Sequence, residues 1–67
     1  MKTQLIKGYS VERILKLICD IENLTGKMFH EVDVELEIKI WNTIDAKQTH
    51  KYPFIINQLN HLIDDLA

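Results

Sequence analysis

The chain has 67 residues, a formal net charge of −2 and one cysteine, Cys19. A chain this short forms a single domain, residues 1–67, and buries only about 60% of the surface that its unfolded form exposes. One cysteine excludes an internal disulfide, so we expect the domain to gain stability from a protein partner or from a homodimer.

The first two predicted elements are a short strand and a longer helix. Residues 2–7 form the candidate strand, which Gly8 ends with a turn. Residues 11–25 are typical of an amphipathic helix, because their aliphatic side chains repeat with a period of 3.6 residues. Ser10 is suited to cap the start of this helix, and Gly26 can end it with a positive φ.

Within the segment 30–41, residues 31–40 alternate strictly between charged and apolar side chains. Every even position from 32 to 40 is aliphatic, and every odd position from 31 to 39 is charged. A period of two is the signature of a half-buried strand, and we predict one here. The alternative is a helix from about Met28 to Lys47, which would be apolar nearly all round.

The last helix is predicted to begin near Pro53, because proline is favourable in a first helical turn. The resulting fold class is α+β, with a β-α-β-α order and two amphipathic helices on one face of a short sheet. If the middle segment is helical instead, the fold becomes an all-α three-helix bundle. In the α+β fold part of the longer strand stays unpaired, and such an edge usually finds a second copy or another protein.

The candidate partner-binding residues are acidic and aromatic. On a strand the four carboxylates of residues 31–37 would share one face at a spacing of about 6.6–6.8 Å, although such a row is more often simply a solvated face. Two aromatic side chains bracket this row and are suited to anchor an interface. Two aspartates near the C-terminus lie where the helix dipole disfavours negative charge, which can mark a basic partner. The full set is Phe29, Glu31, Asp33, Glu35, Glu37, Trp41, Asp64 and Asp65.

No motif indicates an enzyme, a cofactor or a metal site. The two glycines form no phosphate-binding loop, and Cys19 has no histidine near it in sequence. We predict a small non-enzymatic interaction protein that binds and modulates a larger protein, by inhibition, and that takes no small-molecule substrate. The alternatives are a helix-turn-helix transcriptional regulator and a structural subunit of a larger assembly.

Charge and hydropathy also limit the partner and the location. The seven lysines are scattered singly and Arg13 is the one arginine, which disfavours a nucleic-acid partner. No stretch approaches the ~20 apolar residues of a membrane helix, and the N-terminus does not resemble a signal peptide, so we expect a cytoplasmic protein. Its content of Ile, Lys and Asn suits an AT-rich genome, and small acidic proteins from such genomes are typical of phages and mobile elements.

Overall fold

The computed structural model describes residues 9–67, and this part of the chain is helical. Among these residues 83% are helical and none lies in a strand. The predicted α+β fold with two helices on a short sheet is therefore wrong, and the all-helical alternative agrees with the structure. A single 3₁₀ turn over Thr49–Lys51 precedes the last of four helices, which are α1 (Val11–Thr25), α2 (Phe29–Val32), α3 (Val34–Asp45) and α4 (Tyr52–Leu66). The strand predicted over residues 2–7 lies outside the described residues.

The segment with the alternating pattern forms α2 and α3 instead of a strand. Asp33 separates the two helices with an extended backbone (φ −157°, ψ 93°). Its carboxylate accepts a hydrogen bond of 3.0 Å from the Leu36 backbone N–H, which satisfies one of the donors that a helix start leaves free. The strand predicted over residues 30–41 is wrong because this cap and the burial of Leu36 and Ile40 in the core outweigh the alternation.

α1 and α4 form where the sequence predicts them, and they pack against each other. The Ser10 hydroxyl accepts a hydrogen bond of 3.1 Å from the Arg13 backbone N–H at the start of α1. Gly26 ends α1 with φ 72°, a left-handed conformation that glycine adopts without steric cost. Pro53 lies in the first turn of α4. No helix within residues 9–67 is long and apolar enough to cross a membrane.

One hydrophobic core joins the four helices. Its fully buried centre consists of large aliphatic side chains from α1, α3 and α4, namely Ile14, Ile21, Ile40, Ile55 and Leu59. The short helix α2 contacts both α1 and α3 and adds Phe29 to this core. The Phe29 backbone N–H donates to the Glu22 carboxylate at 2.8 Å, which ties the start of α2 to α1. α2 in turn contacts α3, which buries Leu36, Ile40 and Thr43.

Candidate protein-binding surface on α3

The inner face of α3 belongs to the core. Leu36, Ile40 and Thr43 are its buried residues, and they lie on successive turns of the helix. The Thr43 hydroxyl donates to the Lys39 carbonyl at 2.8 Å, so its only polar group is satisfied within the helix. With this face buried, the opposite side of α3 must point away from α1 and α4.

The outer face of α3 is apolar as well. Val34, Ile38 and Trp41 are 53%, 54% and 42% exposed, respectively. They are spaced i, i+4 and i+7, which at 100° per residue places them within an arc of about 60°. A helix that is apolar on all sides is normally buried on all sides, and α3 is covered on only one. We call these three residues the α3 outer stripe.

The other exposed apolar side chains do not form such a stripe. Leu15 and Leu24 of α1 are also exposed, but their positions lie about 180° apart around that helix. Tyr9, Met28, Phe54 and Leu66 are exposed as well, and no two of them lie on one stripe of the same helix. Single exposed apolar residues are ordinary on protein surfaces, whereas a contiguous group marks an interaction site. The α3 outer stripe is therefore the candidate site among the described residues.

The helical fold divides the predicted acidic row. Glu35 and Glu37 lie two positions apart, or about 200° around α3, so they flank the α3 outer stripe on opposite sides instead of sharing one face. Glu31 and Asp33 serve as local caps, because Glu31 accepts a hydrogen bond of 3.2 Å from the Met28 backbone N–H and Asp33 caps α3. The regular row of four carboxylates expected on a strand does not exist in this structure.

The two predicted aromatic anchors have opposite environments. Trp41 is the largest side chain of the α3 outer stripe, where an interface anchor is expected to lie. Phe29 is only 2% exposed and packs in the core. Both residues lie at odd positions, where the alternating pattern has its charged side chains. A strand would therefore place both on the same face and could not distinguish them. The helical structure assigns Phe29 to stability and leaves Trp41 available to a partner.

Asp65 and Asp33 line the same shallow groove, although they are far apart in sequence. The groove lies between the start of α3 and the last turns of α4, and Leu36, Gln58, His61 and Leu62 complete it. Glu35 lines an adjoining groove that also contains Asp33. Asp64 is exposed but lines neither groove. Two of the predicted acidic groups thus line one groove, which lies on the Leu36 side of α3 and not on the α3 outer stripe.

Within residues 9–67, no three His, Cys, Asp or Glu side chains lie close enough together to hold a metal ion. Comparison with protein-family models, with curated proteins and with solved structures finds no match to this chain. What the α3 outer stripe can bind must therefore be judged from its own shape and charge.

Proposed function

We propose that this protein binds a larger protein through the outer face of α3 and modulates that protein, by inhibition. The observation that carries the proposal is the exposure of Val34, Ile38 and Trp41 on consecutive turns of a helix whose other side is already buried. An amphipathic helix that presents anchors at i, i+4 and i+7 suits an apolar groove on a partner. Trp41 is the expected hot spot, since tryptophan is enriched among residues that dominate binding energy.

The charges around the α3 outer stripe indicate which residues should border the partner's groove. Glu35 and Glu37 flank the stripe, and Asp45 continues it at the C-terminal end of the helix. These three carboxylates favour a groove bordered by Lys and Arg. The same charges do not support the alternative of a helix-turn-helix regulator, because a helix in the major groove needs cations and hydrogen-bond donors on its exposed face.

Replacing Trp41 with alanine is expected to weaken partner binding about 30-fold or more, the effect of removing a hot spot worth about 2 kcal/mol. The partner is first found by placing a photo-crosslinking amino acid at position 38 and identifying the joined protein by mass spectrometry. It is then purified, and its affinity for the wild-type protein and for the Trp41→Ala variant is measured by isothermal titration calorimetry.

Leu24 provides the matched control, because it is an exposed apolar residue of α1 outside the α3 outer stripe. A crosslinker at position 24 should not capture the same protein, and Leu24→Ala should change the affinity less than threefold, roughly the effect of a peripheral contact. Equal crosslinking from both positions, or unchanged binding by Trp41→Ala, would refute the proposal. A crosslink between two copies of this chain would replace it with a homodimer through α3.

Neutralising Glu35 and Glu37 together should slow association more than it accelerates dissociation, because rim charges act mainly on the encounter rate. We expect the double Glu→Gln variant to lose roughly tenfold in association rate at low salt and much less at high salt, where the charges are screened. Surface plasmon resonance with the identified partner measures both rates. A salt-independent association rate would show that these carboxylates are only solvated.

A further inference from the structure

A third groove lies farther along α3 and is lined by basic instead of acidic side chains. It holds about 280 Å³ and lies where α3, the 3₁₀ turn and the start of α4 meet. Ile55 and Thr43 are buried and form its floor, while Phe54 is 66% exposed and forms part of its wall. The remaining lining residues are Lys39, His50 and Lys51. We call this the basic groove.

The positive charge of the basic groove is local, although Lys39 also lines the adjoining groove together with Asp33 and Glu35. The chain as a whole has a net charge of −2, but no Asp or Glu occurs between Ala46 and Ile63. Within residues 9–67 the only ion pair closer than 4.0 Å joins Lys16 to Asp20, on α1. The Lys39 ammonium donates to a neutral acceptor, the Gln58 side-chain oxygen, at 3.4 Å. Among the described residues no basic side chain of the groove lies within 4.0 Å of a carboxylate, so each can pair with a carboxylate from another molecule.

We propose that the basic groove binds an acidic peptide segment of a partner protein. An apolar side chain of that segment would pack against Phe54 over the floor of Ile55 and Thr43. Neighbouring Asp or Glu side chains would pair with Lys39 and Lys51 at the rim. This arrangement matches the usual anatomy of a peptide site, in which an apolar pocket supplies affinity and charged residues at the edge supply specificity.

A polypeptide suits the basic groove better than a nucleic acid does. Sites for single-stranded nucleic acid combine a long cationic track with several aromatic platforms for successive bases. The basic groove offers one exposed aromatic residue and three basic side chains grouped around a small apolar floor. A single apolar side chain between carboxylates fits that shape, and a run of phosphates does not.

The basic groove is independent of the α3 outer stripe. Lys39 and Thr43 lie roughly 140–180° around α3 from Val34, so a ligand in the groove does not cover the stripe. The inference therefore goes beyond the proposed function and does not depend on it. Either surface can be removed by substitution while the other remains.

The test is a selection from a phage-displayed library of random dodecapeptides on the folded protein, run in parallel on the Lys39→Glu/Lys51→Glu double variant. We expect the wild-type protein to enrich peptides with an aromatic or large aliphatic residue beside Asp or Glu, and the variant not to enrich them. The most enriched peptide is then synthesised and titrated by NMR. It should perturb the amide signals of the groove and lose about tenfold or more in affinity for the double variant and for Phe54→Ala.

The Lys16→Glu/Lys27→Glu double variant is the matched control, because it makes the same change in net charge outside the groove. It should bind the selected peptide within about threefold of the wild-type affinity, as should Trp41→Ala, which alters only the other surface. Circular dichroism confirms that each variant is folded. An equal loss of peptide affinity in the control variant would show that the effect depends on net charge alone, and it would overturn the proposal.

Two other results would also overturn the inference. Enriched peptides without acidic residues would exclude the proposed charge pairing. A labelled single-stranded oligonucleotide that binds more tightly than the selected peptide, and that loses binding in Lys39→Glu/Lys51→Glu, would assign the basic groove to nucleic acid.

Discussion

Replacing Ile40 with alanine is expected to lower the free energy of unfolding by about 2–5 kcal/mol, the usual cost of an Ile→Ala change in a core. Ile40 is fully buried on the inner face of α3. A domain of this size is stable by roughly 3–10 kcal/mol in total, so the loss is a large share of its stability. Urea denaturation followed by far-ultraviolet circular dichroism measures the change.

Ile38→Ala is the matched control, because Ile38 is two positions away and 54% exposed. We expect it to change the free energy of unfolding by less than about 0.5 kcal/mol, since it lies on the surface and alanine is the better helix former. On a strand the two residues would share a face and both substitutions would be costly. Similar losses at positions 38 and 40 would thus contradict the helical structure of this segment.

If Ile40→Ala does not fold, Ile40→Val keeps the comparison measurable. Removing a single methylene group there should cost about 0.5–1.5 kcal/mol. Ile38→Val should again have almost no effect. The contrast between the two positions is the test, and it does not depend on the size of either value alone.

Phe29→Ala is expected to be the most damaging substitution among the residues predicted to bind a partner, with a loss of about 3–5 kcal/mol. The Phe29 ring is 2% exposed, and it is the one residue of α2 that is buried. Its removal leaves a cavity between α2 and the rest of the core. Thermal and urea unfolding should both show the loss, and Phe29→Leu should recover a good part of it by filling most of the space.

Trp41→Ala serves as the comparison, because both aromatic residues flank the same alternating segment. We expect it to cost about 1 kcal/mol, a typical value for a point substitution. It should leave the helical content unchanged and still impair partner binding. A loss at position 41 as large as that at position 29 would place the Trp41 side chain in the core and remove it from the proposed interface.

The helices at both ends of the described fold could be predicted from local signals. Ser10 and Gly26 bracket α1 with a polar cap and a left-handed glycine, and Pro53 lies in the first turn of α4. In these helices the apolar side chains repeat with the helical period, so the pattern and the capping residues agree. Such agreement between independent signals makes a prediction from one sequence dependable.

The middle of the chain could not be predicted in this way because its two signals disagree. The alternation over residues 30–41 has the period of a strand, whereas Asp33 supplies the cap of a helix. The alternative prediction, one helix from Met28 to Lys47, has the correct type of secondary structure but does not include the break at Asp33. Val34 and Ile38 stay apolar on the outside of the helix, and with the buried residues they complete the period of two that is typical of a strand. Two of the three side chains of the candidate interface are therefore also the misleading feature, whereas Trp41 lies off the alternation.

The basic groove was missed because its basic side chains come from separate parts of the chain. Lys39 lies on α3, and His50 and Lys51 lie in the turn before α4, so no cluster is visible in sequence. The absence of any Asp or Glu between Ala46 and Ile63 was the available signal. A segment without carboxylates is informative because its basic side chains gain no local counter-charge. The fold then brings a lysine from another helix beside them.

Trp41 is the only tryptophan of the chain, and in the folded protein its indole already meets water. A tryptophan buried in a core shifts its emission strongly on unfolding, and Trp41, which is 42% exposed, should shift it less. A partner that covers α3 would instead move the emission to shorter wavelength and protect it from iodide quenching. The chain thus contains a natural fluorophore that lies on the proposed interface and would report its occupancy by a partner.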